Sequence, residues 1–296
     1  MSPKLSVCTP TYNRKDYVRE TLDSIFAQTY KDFEVVVVDD GSTDGTEEMI
    51  KRVGYPVRYY WQKNRGEAAA RNKLISLAEG QFITFLDSDD LLMPDAVERM
   101  INVMEAEDEE VIVYGPYLRI DEKGNVCGRC TRKLYSGYIT SQLFENIFVH
   151  SCGSVFPRSA LQEVGGFDET LLVSCDYDLW LRLSLKYRFI ALPEPTFKRR
   201  RHSGNLSNIS SKNQIAELHV LERFYYEMGG HKVVSKKIAT RRFAEEEYRI
   251  GTRSLRENDL TTAREYLHRS FKHHADPKSL AMWILVTIKA KHSSQI

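Results

Sequence analysis

The sequence predicts an α/β protein built on a largely parallel sheet, and three observations predict it. Short apolar runs alternate strictly with helical segments, and each run ends in a cluster of small, polar or acidic residues. One run, Phe82-Ile83-Thr84-Phe85-Leu86, passes straight into Asp87-Ser88-Asp89-Asp90. Strict strand–helix alternation means βαβ units. In open α/β sheets ligands sit in the crevice at the carboxyl ends of the strands, where these polar clusters fall.

Taken in order, Leu5 to Thr9 reads as a first strand leading into Pro10-Thr11-Tyr12-Asn13-Arg14. Asp16 then reads as the N-cap of a helix with the apolar face Val18, Leu22, Ile25 and Phe26. Phe33 to Val38 is apolar nearly throughout, as expected of a strand covered on both faces. A turn rich in small and acidic residues, Asp39 to Thr46, precedes a helix from Glu47 to Val53. Val57 to Trp61 is a third strand, Gly66 to Leu77 a helix, and Phe82 onward the fourth strand. A helix from Asp95 to Met104 and a strand from Val111 to Leu118 follow. Residues 119–150 read as hairpin and loop with turn points at Gly124, Gly128 and Gly137.

The carboxylates after Phe82 admit two readings. Clustered carboxylates repel, so a hard divalent cation with oxygen ligands, carrying substrate phosphates, would neutralise them. A solvated turn leading to the helix that Pro94 and Asp95 open gives the same residues. Tyr12, Asp40 and Arg71, each at a strand end, could stack on a base, accept an imide N–H and donate to a carbonyl or phosphate. Singly each serves a structural role as readily; their joint placement favours a nucleotide. No G-x-G-x-x-G follows the first strand and no G-x-x-x-x-G-K-[ST] occurs, which excludes a dinucleotide fingerprint and a P-loop.

Composition narrows the class. The 296 residues are 42% hydrophobic and 28% charged, ordinary for a globular chain. The formal net charge of +1 argues against a nucleic-acid partner. Residues 1–197 carry 22 Lys+Arg against 31 Asp+Glu, and residues 198–296 carry 20 against 10, an acidic body with a basic tail. Five cysteines and no secretory leader at the start point to a reducing, cytoplasmic setting. Cys127-Gly128-Arg129-Cys130 has metal-ligand spacing, but His150 and Cys152 are the only nearby partners and the second pair a zinc site needs is missing.

Four segments, Thr9 to Arg14, Val38 to Asp44, Asn64 to Asn72 and Leu86 to Asp90, stand in an order and spacing that resembles the family 2 inverting glycosyltransferases of GT-A fold. The resemblance covers about the first two-thirds of the chain. It implies that Pro10, Tyr12, Asp40 and Arg71 contact the nucleoside of a nucleotide-sugar, most readily UDP. It also implies that Asp87 lies near the ribose and metal and that Asp89 ligates Mn²⁺ or Mg²⁺. Asp39 reads as a turn residue, and Asp90 as either a helix-start or a site residue. Gly165 to Glu169, then Cys175 to Leu183, resemble the next signature, whose Glu-Asp pair supplies the general base; here Cys175 replaces the Glu and Asp176 remains. Arg199 to Ser207 resembles the late Arg-x-His segment, which makes His202 a metal or diphosphate ligand.

The expected activity is transfer of a sugar from a nucleotide-diphospho-sugar, with inversion, to a hydroxyl of a glycan or lipid-linked acceptor. The alternative is a catalytically silent nucleotide-sugar-binding or scaffold protein of the same fold. The expected division is a catalytic domain over residues 1–207 and a helical region over 208–296. Within the latter, Ala244 to Pro277 resembles one tetratricopeptide-type hairpin. The final helix, Pro277 to Lys291, sets Trp283, Ile284, Leu285 and Ile288 against lysines. A peripheral membrane helix and a helix docked on protein give the same pattern.

Overall fold

The computed structural model describes residues 2–202 and 210–293. Among them the elements run β1 (Leu5–Thr11), α1 (Val18–Phe26), β2 (Phe33–Asp39), α2 (Thr46–Val53), β3 (Val57–Trp61), α3 (Glu67–Leu77), β4 (Phe82–Phe85), β5 (Leu91–Leu92) and α4 (Ala96–Ala106). Then come β6 (Val111–Tyr114), β7 (Tyr117–Ile120), β8 (Val126–Arg129), α5 (Thr140–Glu145), β9 (Ser154–Pro157), α6 (Arg158–Glu163), α7 (Cys175–Ser184), β10 (Arg188–Ala191) and β11 (Phe197–Arg200). Four helices follow: α8 (Ser211–Tyr226), α9 (Lys236–Arg256), α10 (Leu260–His273) and α11 (Pro277–Ser293).

The chain forms two compact units, Met1–Ile139 with Phe148–Asn205, and Thr140–Ile147 with Leu206–Ile296. The expected boundary near residue 207 therefore needs one correction, because the segment carrying α5 belongs with the helices. Phe144 explains why. Its ring lies 6.0 Å from Phe224 and 5.8 Å from Phe243, and it is fully buried.

The first unit holds a seven-stranded sheet in the order β10-β6-β9-β4-β1-β2-β3, parallel except for β9. Val35 to Val38 are all buried, as the apolar run required. Each such side chain contributes about 1.5 kcal/mol or more through burial. A second sheet, β5-β11-β7-β8, completes the unit.

The strand expected over residues 111–118 is divided between the two sheets. Gly115 and Pro116 separate β6 from β7, and a Cβ on Gly115 would stand 2.4 Å from Thr196 Cγ2. The bend therefore needs both a residue without a side chain and one that cannot continue a ladder. Asp16 is also not the cap of α1. That helix starts at Val18, and the Arg14 carbonyl accepts the Tyr17 and Val18 N–H groups at 3.0 and 2.9 Å.

In the second unit α9 and α10 are joined by three residues and packed so closely that a Cβ on Gly251 would meet Leu267 Cγ at 2.6 Å. α11 adds Val286 to a small core with Ala263 and Leu267. Glu247 is fully buried in this unit, 2.9 Å from Arg269 Nε and 2.7 Å from His273 Nδ1. The hydrogen bond to Glu247 raises the proton affinity of His273 above its ordinary value of 6.5, against the opposing effect of burial. Because the folded state holds the proton more tightly, this contribution is complete below the ordinary value and fades as pH rises through the raised one. A His273→Gln variant should thus lose unfolding stability relative to wild type at about pH 5.5 and lose less at about pH 9. A gap that stays constant across this range would exclude the linkage.

Candidate active site

The loops after β1, β2 and β3 interlock before any ligand is considered. Asn13, at φ 52°, accepts the Thr43 N–H at 2.9 Å and donates its own N–H to Ser42 Oγ at 2.8 Å. Gly41, at φ +91°, allows the Asn64 backbone to approach to where a Cβ would lie 2.9 Å from Asn64 N. Asp39 accepts the Ser42 N–H at 2.7 Å and the Tyr59 hydroxyl at 2.8 Å, a turn role as expected. Asp40 is buried and accepts from Gln62 Nε2 (2.7 Å), Arg65 N (3.0 Å) and Gly66 N (2.8 Å). It thereby fixes the start of α3, a structural task in addition to any ligand contact.

Pro10 and Tyr12 sit at the end of β1. The Cys8 carbonyl accepts the Leu86 N–H at 3.0 Å, so by strand alternation Pro10 faces the same side, just past the last β4 residue. Its missing N–H leaves no rung unpaired there. Tyr12, the residue after β1, is 48% exposed.

Arg71 is buried, pairs with Glu67 one turn earlier and donates to Asp87 Oδ1 at 2.7 Å. Burial opposes its charge, but Glu67 and Asp87 outweigh burial and hold it firmly cationic. Glu67 is drawn down by Arg71; burial together with Asp87 and Asp176 reverses this, and its net shift is upward. Asp176, at the start of α7, is half-buried and within electrostatic reach of both Glu67 and Arg71. Burial pushes the Cys175 thiol up to about 12, so the residue that replaces the expected Glu supplies no second anion near neutral pH. Asp178 is withdrawn from the site: it is 1% exposed and held by Arg182 Nη2 at 2.7 Å.

The acidic loop after β4 divides three ways. Asp87 meets Arg71. Asp89 lies 2.9 Å from His202 Nε2 and 3.4 Å from Arg14 Nε, and the His202 ring stacks on Tyr17 at 5.0 Å. Asp90 is buried and accepts the Arg200 N–H at 2.8 Å, which settles it as a clamp on β11. Burial, then Asp87 and Asp89, push its carboxyl well above the usual range.

Arg200 has no exposed side-chain surface and binds the Asp89 carbonyl (2.9 Å), the Glu122 carbonyl (2.9 Å) and Glu20 Oε2 (2.6 Å). Of the three consecutive arginines Arg199, Arg200 and Arg201, it is the one that holds the loop together. Arg14 and Glu67 stood inside quoted segments without being singled out. The i,i+4 spacing of Glu67 and Arg71 was the available signal.

Asp87, Asp90 and Cys152 also place ligand atoms within 4.8 Å of one another. Burial, with Asp87 and Asp90, raises the Cys152 thiol well above its ordinary range, and a protonated sulfur suits a hard cation poorly. Cys127 is exposed and Cys130 half-buried; neither joins a metal-ligand group among the described residues.

The sequence profile of glycosyl transferase family 2 matches residues 6–165. An uncharacterized glycosyltransferase of Rickettsia prowazekii, RP339, is 33% identical over 73% of this chain and 69% of its own length. The fold is similar to S. aureus TarS 1-349 in complex with UDP-GlcNAc (TM-score 0.59, 16% identity, 92% of each chain). It is also similar to the mannosyltransferase PcManGT of Pyrobaculum calidifontis in complex with GDP-Man and Mn2+ (TM-score 0.59, 20% identity, 98% of this chain and 80% of that one). The architecture is GT-A-like, and the chain belongs to glycosyl transferase family 2.

The withdrawal of Asp178 makes a stability prediction. Asp178→Ala strands Arg182 among the carbonyls of Val164 and Gly166 and should cost about 3 kcal/mol in chemical unfolding. Asp176→Asn, at a half-buried position, should cost well under half of that. Equal losses would place both residues in the framework.

Proposed function

We propose that the protein transfers a sugar, with inversion, from a nucleotide-diphospho-sugar to a hydroxyl of a glycan or lipid-linked acceptor, with UDP as the nucleotide. The observation that carries this reading is the division of labour among its carboxylates. Asp89 is grouped with His202 and Arg14, whereas Asp176 stands at the start of another helix and its neighbour Asp178 is consumed by Arg182.

The Asp89 carboxylate and the His202 imidazole form a donor set that suits Mn²⁺ or Mg²⁺ better than the thiol-containing group around Cys152. Asp87 stands beside it on the ribose side. A cation bound there supplies Lewis-acid stabilisation of diphosphate charge. The protein's own groups do the rest. Arg14 lies against Asp89 and His202 is stacked on Tyr17, which fixes both side chains before donor arrives. Arg71, anchored on Glu67 and Asp87, presents a fixed cation beside the nucleotide crevice. Pro10, Tyr12 and Asp40 frame the nucleoside. Asp176 takes the proton of the attacking hydroxyl, which is a poor nucleophile near neutral pH.

Calorimetric titration of UDP with Mn²⁺ and with EDTA tests the donor half. Binding should require the cation and should fail in Asp89→Ala. Asp176→Asn should bind UDP within a few-fold of wild type yet lose transfer by about 10²–10⁴. Equal UDP affinity with and without Mn²⁺ removes the metal from the account; near-full transfer by Asp176→Asn removes the base. Donor binding with no transfer by wild type would favour the silent alternative.

The C-terminal helix supports peripheral contact with an anionic bilayer. α11 buries Val286 but leaves Ile284, Leu285 and Ile288 about half exposed, and Pro277–Ser293 contains lysines and no acidic residue. Among the described residues no helix is long and apolar enough to cross a membrane. Wild type should float with anionic liposomes and an Ile284→Gln/Ile288→Gln variant should not. Equal flotation of the two excludes α11 as the contact.

A further inference from the structure

Helix α3 carries more than Arg71. The next residue, Asn72, turns its amide onto the segment that leads toward α7. Asn72 Oδ1 accepts the Phe167 N–H at 2.8 Å. Asn72 Nδ2 donates to the Phe167 carbonyl at 2.8 Å and to Glu169 Oε1 at 3.0 Å. One side chain thus satisfies both backbone groups of Phe167, as a neighbouring strand would. Gly166 permits the approach. It sits at φ +68°, and a Cβ on it would stand 2.5 Å from Asn72 Oδ1.

Phe167 is held by both helices. The Arg71 guanidinium lies over its ring at 5.5 Å, and Trp180 of α7 meets the same ring edge-on at 6.4 Å. Arg182, also on α7, donates to the Val164 and Gly166 carbonyls just before it. Further along, Glu169 accepts from Arg65 Nη2 at 2.9 Å, and Asp40 accepts the Arg65 N–H at 3.0 Å. Residues 164–169 therefore form a strap that ties α3 to α7. Asp176 stands at the start of α7, about one turn before Trp180. Its charge already acts on Glu67 and Arg71 of α3. A displaced strap would shift the start of α7 against those two residues.

We propose that Asn72 is a positioning residue: through Phe167 it sets where Asp176 stands relative to a donor bound beside Arg71. The proposal rests on the transferase reading above. Attack on the sugar carbon needs base, hydroxyl and donor in line, and a misplacement of about 1 Å can cost about a hundredfold in rate. Among the described residues the Asn72 side chain bonds only to Phe167 and Glu169. Loss of its amide should thus move the base side while the loops after β1, β2 and β4 stay in place. A residue that served stability alone would lower donor binding and turnover together.

The test compares Asn72→Ala with Asn72→Asp in the full chain. The second variant keeps the size and the acceptor for the Phe167 N–H but loses both Nδ2 bonds. Release of UDP, with Mn²⁺ present and water as acceptor, is followed from UDP-glucose, UDP-galactose, UDP-GlcNAc and UDP-glucuronate. For each sugar that wild type turns over, kcat should fall about tenfold or more in both variants. KM and the calorimetric affinity for UDP should stay within about threefold of wild type. Backbone amide exchange should rise over residues 166–180 and keep its wild-type level over residues 36–46. Near-wild-type kcat in Asn72→Asp, a loss of UDP affinity as large as the loss of turnover, or exchange raised equally over both segments would overturn the proposal. Failure of wild type to bind UDP, or to release it from any of the four sugars, would instead sink the transferase reading. The exchange pattern alone would then decide whether Asn72 holds α7.

Discussion

Where β4 leaves the sheet, Asp87, Asp89 and Asp90 must share one turn, and their mutual repulsion is the constraint around which the catalytic unit is arranged. Carboxylate oxygens of Asp87 and Asp90 lie within 4.8 Å of each other. Two unit charges at that separation repel by about 3.5 kcal/mol at an effective dielectric constant near 20. The fold meets this in three ways. Arg71 takes Asp87, Arg14 and His202 take Asp89, and Asp90 is buried under the β11 backbone with its carboxyl pushed upward. Arg200 then ties the loop to α1 and to the β7–β8 turn from behind.

That arrangement explains why the acids differ in kind although they are adjacent in sequence. Asp90 is spent on the framework, whereas Asp87 and Asp89 keep part of their side-chain surface exposed. The same distinction recurs at α7, where Asp178 is locked to Arg182 while Asp176 stays half-exposed. At both places the acid that is fully buried is the one held in the framework, and the acids beside it keep exposed surface. Under the proposed function, a site assembled this way would be held in place before donor binds, which keeps reorganisation small.

Much of this was legible in the sequence because it follows from local pattern. The Val35–Val38 run could only be a strand buried on both faces, and the strand ends carried the polar clusters that mark a ligand edge. The partition of the acids was not legible, since it depends on which of three consecutive arginines turns inward. Arg199, Arg200 and Arg201 are equivalent in composition, and the buried one is fixed by pairing of β11 with β7, a contact between strands 80 residues apart. The break at Gly115-Pro116 was readable in principle, as Pro seldom continues a central strand. The recruitment of α5 into the helical unit was not, because a six-residue helix carries too short a period to reveal its partner.

The central claim is that the acidic loop is a donor site whose cation rests on Asp89 and His202. A crystal of the protein grown with UDP and Mn²⁺, with anomalous data collected at the manganese edge, tests it most directly. The account predicts one strong peak in coordination distance of Asp89 and His202, bridged to the nucleotide diphosphate. A peak centred instead on Asp87, Asp90 and Cys152, or bound UDP with no manganese beside it, would contradict it.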